Sequence, residues 1–366
     1  MGSRRLCRED YRVGWVSALP IELAAAQFVL DEEHQNLDQD LNNDTNVYTL
    51  GRIGDHNVVI VCLPTGQIGN NSAAAVVTQM KSAFPSIRFG LMVGIGGGVP
   101  SGEADIRLGD VVVSQPCNGH GGVVQFDFGR TTRDGFKRTG FLNAPPTILL
   151  NATSKTRANE IVGRSNLSKH LSKFSNIPAF TREKAGPDML FHASYEHAGG
   201  HTCGFCNKGM IDRKPRESQE VVVHYGTIAS GNQVMKDAIT RDIVSSELGG
   251  VLCFEMEAAG LMNNFPCLVI RGICDYADSH KNKKWQPYAA STAAAYAKEV
   301  LSAIPGSDVA ITPTADESIT RERTSVQGPV GYQSGTMRVT FGSNNTGFQV
   351  GVNNGPINAS FGGGGL

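Results

Sequence analysis

The sequence predicts an α/β fold, in which the strands of a buried sheet alternate with helices that cover it. Residues 11–18 are apolar and lead into a helix over residues 21–30, with Pro20 at the first helical turn, where proline is tolerated. Residues 266–273 form a second apolar run that is typical of a buried strand, and an alanine-rich helix follows over residues 285–304. This alternation indicates a sheet with helices packed on its faces.

The other predicted elements continue the pattern in chain order. Gly54 and Asp55 mark the turn of a hairpin whose strands cover residues 47–53 and 57–63. The remaining predictions are a helix over 71–84, a strand over 87–93, a strand over 111–114, an exposed loop over 120–140, at least one helix within 145–171, an irregular segment over 176–218, a strand over 221–229 and a helix over 234–247.

Composition and charge argue against several classes of protein. The chain has 366 residues, of which 40% are hydrophobic, and a formal net charge of −1. This balance gives no reason to expect nucleic acid or an acidic membrane surface as a partner. No apolar run is long enough to span a membrane, and residues 1–10 lack the apolar core of a secretory signal. Several of the eight cysteines lie in strand-like runs, which suits reduced cysteines in a cytoplasmic protein.

Carboxylates stand at the ends of three predicted strands. Glu22 lies at the junction between the first strand and its helix, Glu255 and Glu257 follow the short strand that begins at Val251, and Asp275 follows the strand over 266–273. In open α/β folds ligands bind beyond the strand ends, and carboxylates gathered there suit hydroxyl binding and proton transfer. The alternative is that the glutamates only stabilise helix N-termini. The residues alone leave both interpretations open.

A glycine run follows the strand over 87–93. Gly94, Gly96 and Gly97 would let backbone N–H groups approach a sugar or a phosphate closely. The spacing is that of neither a dinucleotide fingerprint nor a P-loop, so the run by itself indicates no particular ligand.

The irregular segment contains His197, His201, Cys203 and Cys206. A Cys-x-x-Cys pair with two histidines nearby could hold zinc. No second pair follows at zinc-finger spacing, however, and the two histidines need not converge. We therefore expect an insertion loop without metal or cofactor, and keep a structural metal as the alternative.

The end of the chain changes character. Residues 1–306 are expected to form one compact domain, and residues 307–327 a polar linker. Residues 328–366 are rich in glycine, asparagine, serine and threonine and carry almost no charge, so this tail cannot bury a core of its own. Its spaced apolar residues would permit strand stacking between chains.

Four blocks carry a resemblance to a known family: residues 13–22 (VGWVSALPIE), 94–97 (GIGG), 109–114 (GDVVVS) and 254–259 (FEMEAA) with Cys274-Asp275. In order and spacing they resemble the purine nucleoside/uridine phosphorylase superfamily. The nearest likeness is to its methylthioadenosine/S-adenosylhomocysteine-type nucleosidases and to the nucleoside phosphorylase-like domains of fungal NOD-like receptors. The resemblance covers about residues 11–304. It implies a three-layer α/β/α sandwich around a large mixed sheet, in a homo-oligomer, and makes residues 1–306 the catalytic domain.

The resemblance also implies roles for individual residues. Glu257 would hold the ribose hydroxyls, with Met256 packed under the sugar. Asp275 would donate a proton to N7 of a leaving purine, and Glu22 would activate water. The further substrate-binding candidates are Glu255, Gly94, Gly96, Gly97, Asn232 and Val234, of which Asn232 belongs to a Ser-Gly-Asn that matches the family's Ser-Gly-Asp only in part.

Water is the implied nucleophile. Phosphorylases of this superfamily carry Gly-Asp-Pro-x-Arg after the first strand and Arg-x-Gly-Ser before the glycine block. Here residues 18–22 read Ala-Leu-Pro-Ile-Glu and residues 92–95 read Met-Val-Gly-Ile. Two phosphate-binding arginines are therefore missing, and Glu22 would repel the anion. A phosphorylase is the alternative enzyme, and a non-catalytic binding or assembly module is the alternative to an enzyme.

A basic loop over residues 280–284 (HKNKK) follows Asp275, and its charge bears on the identity of the substrate. A lysine cluster is usually a solvated surface, but this position suits contact with nucleotide phosphates. Relatives of this domain in immune receptors are implied to cleave adenine from ATP. We therefore expect a purine nucleoside or nucleotide as substrate, with ATP first, giving adenine and ribose 5′-triphosphate. The candidate phosphate contacts are Lys281, Lys283 and Lys284, with Arg107, Arg130 and Arg133 as weaker ones.

The tail has a resemblance of its own. Residues 346–355 are similar to the amyloid signalling motifs of fungal receptor–effector pairs, with Phe348 in a slot that is usually aliphatic. A flexible linker toward a receptor domain is the alternative. Either interpretation makes the protein an immune or cell-death effector that is triggered by assembly, with a possible receptor partner at the tail.

Overall fold

The structure is a computed structural model that describes residues 4–38, 44–200, 203–206, 208–218 and 220–326. The strands are β1 (Val13–Ser17), β2 (Glu32–Glu33), β3 (Tyr48–Ile53), β4 (His56–Cys62), β5 (Phe89–Gly98), β6 (Val111–Ser114), β7 (Val123–Gln125), β8 (Gly129–Thr132), β9 (Gly135–Arg138), β10 (Val223–Gly226), β11 (Ile228–Ser230), β12 (Cys253–Glu255) and β13 (Cys267–Asp275). The helices are α1 (Pro20–Phe28), α2 (Asn70–Ala83), α3 (Thr147–Ile161), α4 (Leu167–Ser172), α5 (Arg182–Ala185), α6 (Ala238–Glu247), α7 (Gln286–Ser302), α8 (Gly306–Ile311) and α9 (Ala315–Val326).

A large mixed sheet forms the centre of the fold. Its main path runs β10-β6-β13-β5-β1-β4-β3-β2, and β12, β11 and β7 continue from β5 as a branch. The central strands β13, β5, β1 and β4 are parallel, whereas β6 is antiparallel to β13 and β3 is antiparallel to β4. The carboxyl ends of β1, β5 and β13 therefore lie at one edge of the sheet, where ligands bind in folds of this kind.

Helices cover both faces of this sheet. Along β13, Leu268 and Ile270 belong to one hydrophobic core, which also contains side chains of α1 and α7, and Val269 belongs to the opposite core, which contains side chains of α2. Alternate residues of a strand point to opposite faces, so both faces of β13 must be apolar. Gly272 lets α7 approach closely, because a Cβ there would meet the Ala289 carbonyl oxygen at 1.8 Å. The three-layer α/β/α prediction is confirmed.

The structure corrects several predicted boundaries. The glycine run lies inside β5 rather than after it, and Asp275 is the last residue of β13 rather than a residue beyond the strand. The helix predicted over 234–247 begins at Ala238, because Asp237 caps it by accepting the N–H groups of Ile239 and Thr240 at 3.1 Å each. The loop predicted over 120–140 contains β7 and the exposed hairpin of β8 and β9.

The stretch expected to be a linker is partly helical. Helices α8 and α9 lie within residues 306–326, and Val309, Ala315 and Ile319 are buried, which is why this segment folds despite its polar composition. The Ala315 N–H also donates to the Ile87 carbonyl at 2.8 Å. The division of the chain at 306 and 327 stays a prediction, and the tail with its motif at 346–355 lies outside the described residues. Among the described residues, no helix has the length and apolar character needed to cross a membrane.

Candidate active site

A cavity of about 320 Å³ opens where β1, β5, β12 and β13 end, beside the first turn of α1. This volume is within the range of small-molecule binding sites. Its wall combines buried charged groups with apolar side chains, of which Ile68, Met235 and Phe254 are examples. The predicted residues that line it are Glu22, Gly96, Gly97, Val234, Glu255, Met256, Glu257, Lys281 and Lys283.

Glu22 is held at the start of α1 by backbone amides. Its Oε2 accepts the N–H groups of Ala18 at 2.7 Å and Leu19 at 2.9 Å, and its Oε1 accepts the N–H of Ile95 at 2.8 Å. Burial raises the pKa of Glu22, and Arg271 and these three N–H groups oppose the rise. Each carboxylate oxygen has two lone pairs, so Glu22 can still accept a proton or a hydrogen bond from a molecule in the cavity.

Arg271, in the middle of β13, is a buried cation that balances the glutamates. Its side chain is 1% exposed and forms an ion pair with Glu255. Its Nη2 lies 3.4 Å from Oε2 of Glu257, and its Nη1 donates to the Ile95 carbonyl at 3.3 Å. Glu255 also accepts the N–H groups of Glu257 and Ala258, at 3.1 and 3.0 Å. Most of the hydrogen-bonding capacity of Glu255 is therefore used within the protein.

The pKa of Glu257 is higher than that of an ordinary glutamate. Burial raises the pKa of Glu257 to about 7; Arg271 opposes this rise, whereas Glu255 and Glu22 add to it. The Gly69 N–H approaches Oε1 of Glu257 at 3.4 Å, and the neighbouring Met256 also lines the cavity. Because the ionised carboxylate is only an acceptor, it suits a ligand that presents hydroxyl groups.

The glycines of β5 leave room for the charged side chains. A Cβ at Gly94 would lie 2.5 Å from Oε1 of Glu22 and 2.6 Å from Nη1 of Arg271. A Cβ at Gly97 would lie 2.7 Å from Oδ1 of Asp275. The prediction that these glycines follow the strand was wrong, because paired strand geometry continues through them to β12 and β13.

Asp275 lies at the wall between two cavities. It is 4% exposed, and its Oδ1 accepts the Ala277 N–H at 2.9 Å. Its Oδ2 accepts the Cys274 S–H at 3.0 Å and lies 3.0 Å from Nζ of Lys281. Asp275 lines a neighbouring cavity of about 270 Å³, Cys274 lines both cavities, and Ala277 and Lys281 line the cavity that contains the glutamates. Glu22, Glu257 and Asp275, the three acids predicted to meet, therefore lie close to one another, but Asp275 does not line the cavity that Glu22 and Glu257 line.

The basic loop divides between these two cavities. Lys281 is partly buried, and although burial alone would lower the pKa of Lys281, Asp275, Cys274 and Asp278 together hold the pKa above its usual value. Lys283 is exposed and lines the cavity of the glutamates, whereas Lys284 lines the neighbouring one.

Some candidates lie outside the cavity lining. Asn232 accepts the Asn70 N–H at 3.2 Å, and the residues after it, Gln233 and Val234, reach the wall instead. Arg107 pairs with Asp105 at 2.7 Å. Gly94, Arg107, Arg130 and Arg133 also do not line the cavity.

Sequence reasoning missed Arg271. The signal was present, because an arginine inside an otherwise apolar strand must be paired when the strand is buried. Its partners could have been sought among the carboxylates already singled out, since β13 and β12 both pair with β5.

Comparison with known proteins identifies the family of this chain. A family model described as the phosphorylase superfamily matches residues 12–302. A nucleotide-binding leucine-rich repeat (NLR)-like protein of Hyaloscypha variabilis is 49% identical over 304 residues, covering 81% of this chain and 30% of that protein. The ATP nucleosidase Cap17 of Escherichia coli strain KTE188 is 24% identical over 295 residues, covering 78% of this chain and 50% of Cap17. The chain therefore spans half or less of the length of these two relatives.

The solved structures show the same fold. The 5′-methylthioadenosine/S-adenosylhomocysteine nucleosidase of Helicobacter pylori has a TM-score of 0.51 at 17% identity, over 80% of this chain and 98% of that chain. The match of the family model to most of the chain, together with this fold, decides the assignment. The protein belongs to the phosphorylase superfamily, in the nucleosidase-like branch predicted from the sequence.

Proposed function

We propose that the protein hydrolyses the N-glycosidic bond of a purine nucleoside or nucleotide, and that ATP is its substrate. The observation that carries this proposal is that Glu22 and Glu257 line one nucleoside-sized cavity, while the acid Asp275 lines the neighbouring cavity and directly follows Cys274, which lines both. Two carboxylates and an acid are the groups that N-glycoside cleavage requires.

The sugar would lie against Glu257 and Met256. Cleavage passes through an oxocarbenium-like transition state, so hydrogen bonds and negative charge near the ribose stabilise it more than the substrate. Ionised Glu257 would accept hydrogen bonds from the ribose hydroxyls. Because the pKa of Glu257 is raised to about 7, this interaction would strengthen as the pH rises through neutrality.

Water would be the nucleophile, and Glu22 its base. In the proposed step the bond between C1′ and the base breaks and its electron pair leaves with the purine, which takes a proton at N7 from Asp275. Water forms the new bond to C1′ and gives its proton to Glu22. Phosphate is the less suitable nucleophile, because the buried cation nearest Glu22, Arg271, is already balanced by Glu255.

Asp275 would need a change of partner before it acts. The ammonium of Lys281 lies 3.0 Å from its Oδ2 and is the ion-pair partner of this carboxyl group. A polyphosphate in the cavity is a competing anion for the same ammonium. Movement of Lys281 toward the phosphates would free Asp275 to carry the proton that the purine needs.

ATP is favoured for two reasons. Lys281 and Lys283 both line the cavity, so two ammonium groups are available for the 5′ phosphates. The relative Cap17 is named as an ATP nucleosidase and is similar to this chain over 295 residues.

Base release from a panel of substrates tests the reaction. ATP, AMP and adenosine would be incubated with the protein without phosphate, and free adenine measured by chromatography. We expect adenine from ATP, and a loss on the order of a hundredfold to ten-thousandfold in Asp275→Asn and Glu22→Gln. The exposed Asp134→Asn in the turn between β8 and β9 is the matched control. Release that requires phosphate would identify a phosphorylase instead, and no release from any substrate would leave a binding or assembly module.

We further propose that this activity serves an immune effector. The support is the similarity to the NLR-like protein, together with the tail predicted to assemble or to join a receptor. Deletion of residues 328–366 should preserve adenine release and abolish cell death on expression, whereas Asp275→Asn should abolish both. Cell death that survives the deletion would refute the role given to the tail.

A further inference from the structure

A cluster of potential metal ligands lies in the insertion after α5. One ligand atom each of His197, Cys203 and Cys206 lies within 4.8 Å of the other two. We call these three residues the His-Cys-Cys cluster. They were singled out in the sequence only as an alternative to a plain loop, and His201, considered with them, lies outside the described residues.

The spacing and chemistry of the cluster suit zinc. Two cysteines separated by two residues, with a histidine nearby, are typical of structural zinc sites. Bonds of about 2.0–2.3 Å around a tetrahedral ion put ligand atoms roughly 3.3–3.8 Å apart. Because the ligand atoms lie no more than 4.8 Å apart, the cluster would need to contract by at most about 1.5 Å around an ion. The Ala198 N–H already points at the Cys206 sulfur at 3.5 Å, and such a donor stabilises a metal-bound thiolate.

His280 supplies an independent observation. Its side chain is 5% exposed, and neither ring nitrogen has a hydrogen-bond partner among the described residues. Its ring centroid lies 5.5 Å from that of His197, and the Cys203 sulfur lies 3.9 Å from its carbonyl oxygen. A buried imidazole without a partner costs free energy unless something binds it. The ring nitrogens of His280 lie outside the group whose ligand atoms are all within 4.8 Å of one another, so the ring would have to move toward the His-Cys-Cys cluster to supply a fourth ligand.

Asp278 would orient this histidine. Its Oδ2 lies 3.7 Å from Nδ1 of His280, just beyond hydrogen-bond distance. Histidines that bind metals usually donate their other ring N–H to a carboxylate, which fixes the ring and raises its basicity. A small closure of this gap would leave Nε2 of His280 for the metal.

We propose that His197, Cys203, Cys206 and His280 bind one zinc ion. Four protein ligands leave no open position, so the ion would be structural and would take no part in the glycosidic reaction. At His197, the metal would take over the Nδ1 lone pair that now receives the Gly199 N–H at 3.0 Å. The site is new relative to the proposed function, which uses no metal.

The ion would join the insertion to the basic loop. The backbone N–H of His197 donates to the Ser279 hydroxyl at 3.0 Å, and the rings of Phe191 and His280 stack with centroids 3.9 Å apart. His280 is directly followed by Lys281, the partner of Asp275. Zinc would therefore fix the segment that positions this lysine.

Metal content of the purified protein tests the site. We expect about one zinc per chain by elemental analysis, less than a tenth of that in Cys203→Ser and Cys206→Ser, and full content in the control Cys7→Ser, whose cysteine is exposed and outside the cluster. A chelator should lower the unfolding temperature of the wild type and leave that of Cys203→Ser unchanged.

Cobalt keeps the proposal testable if the cysteine variants do not fold. Wild-type protein reconstituted with Co²⁺ should show the intense visible bands of a tetrahedral site with thiolate ligands, and His280→Asn should weaken Co²⁺ binding at least tenfold. Wild-type protein without metal, with no cobalt bands and no response to chelator, would overturn the proposal. A disulfide between Cys203 and Cys206 would overturn it as well, and unchanged Co²⁺ binding in His280→Asn would refute the fourth ligand. None of these readouts depends on adenine release.

Discussion

Replacement of Arg271 by methionine tests whether the site depends on one buried cation. The side chains of Arg271 and Glu255 are 1% and 0% exposed, and Glu257 lies 3.4 Å away. At an effective dielectric constant of about 20, a charge pair at that distance attracts by roughly 5 kcal/mol, and desolvation cancels part of this. Methionine keeps much of the volume but leaves Glu255 buried without its cation. We expect Arg271→Met to lower the free energy of unfolding by about 3–5 kcal/mol.

Urea denaturation followed by fluorescence measures this loss. The control is Arg5→Met, whose ion pair with Asp38 has side chains 58% and 96% exposed, and which should change stability by less than about 1 kcal/mol. The double variant Glu255→Gln/Arg271→Met removes both charges and should be more stable than Arg271→Met alone. If Arg271→Met lost less than about 1 kcal/mol, or if the double variant were the less stable of the two, the buried charge balance described here would be wrong.

Three further predictions concern other groups of the site. The pKa of Glu257 rises from 4.5 to about 7 on folding, so its contribution to the free energy of unfolding is complete below pH 4.5 and is lost as the pH rises through 7. Over that range the free energy of unfolding of wild type, measured by urea titration, should fall by roughly 3 kcal/mol relative to that of Glu257→Gln. Parallel curves would contradict this. Gly94→Ala should lower the free energy of unfolding by about 1–3 kcal/mol and abolish most adenine release, because its Cβ would meet Glu22. Gly102→Ala, whose Cβ would have no atom within 4 Å, should leave both the stability and the adenine release unchanged. If the proposed reaction is right, Lys281→Met should raise KM for ATP at least tenfold and leave KM for adenosine unchanged. An equal change in both KM values would refute the proposed contact between Lys281 and the phosphates.

The fold could be predicted because its signals are local. The strands at the centre of the sheet are continuous apolar runs, and both faces of such strands must be covered. β1 and β13 lie within two residues of their predicted limits for this reason. Helices α8 and α9 were not predicted, because their few buried residues, such as Val309 and Ile319, are spaced among polar ones and depend on tertiary contacts.

The site was predictable only as a set of residue types. The family blocks led to Glu22, Glu257 and Met256, which line one cavity. They could not reveal that Asp275 is paired with Lys281, because that contact depends on the conformation of the loop after β13. They also could not reveal that the missing side chain of Gly94 makes room for Glu22 and Arg271.

The charge of the site connects its stability to the proposed chemistry. Among the described residues, Glu22, Glu255, Glu257 and Asp275 lie near two buried or partly buried cations, Arg271 and Lys281, while Lys283 is exposed, so four ionised carboxylates with these two cations would carry a net charge of −2. The raised pKa of Glu257 relieves part of this excess by proton binding near pH 7. A polyphosphate that draws Lys281 away would increase the negative charge around the acids and favour uptake of a further proton. The purine must leave with a proton, so the same electrostatic imbalance that costs the folded protein stability would help to supply the acid that the reaction needs.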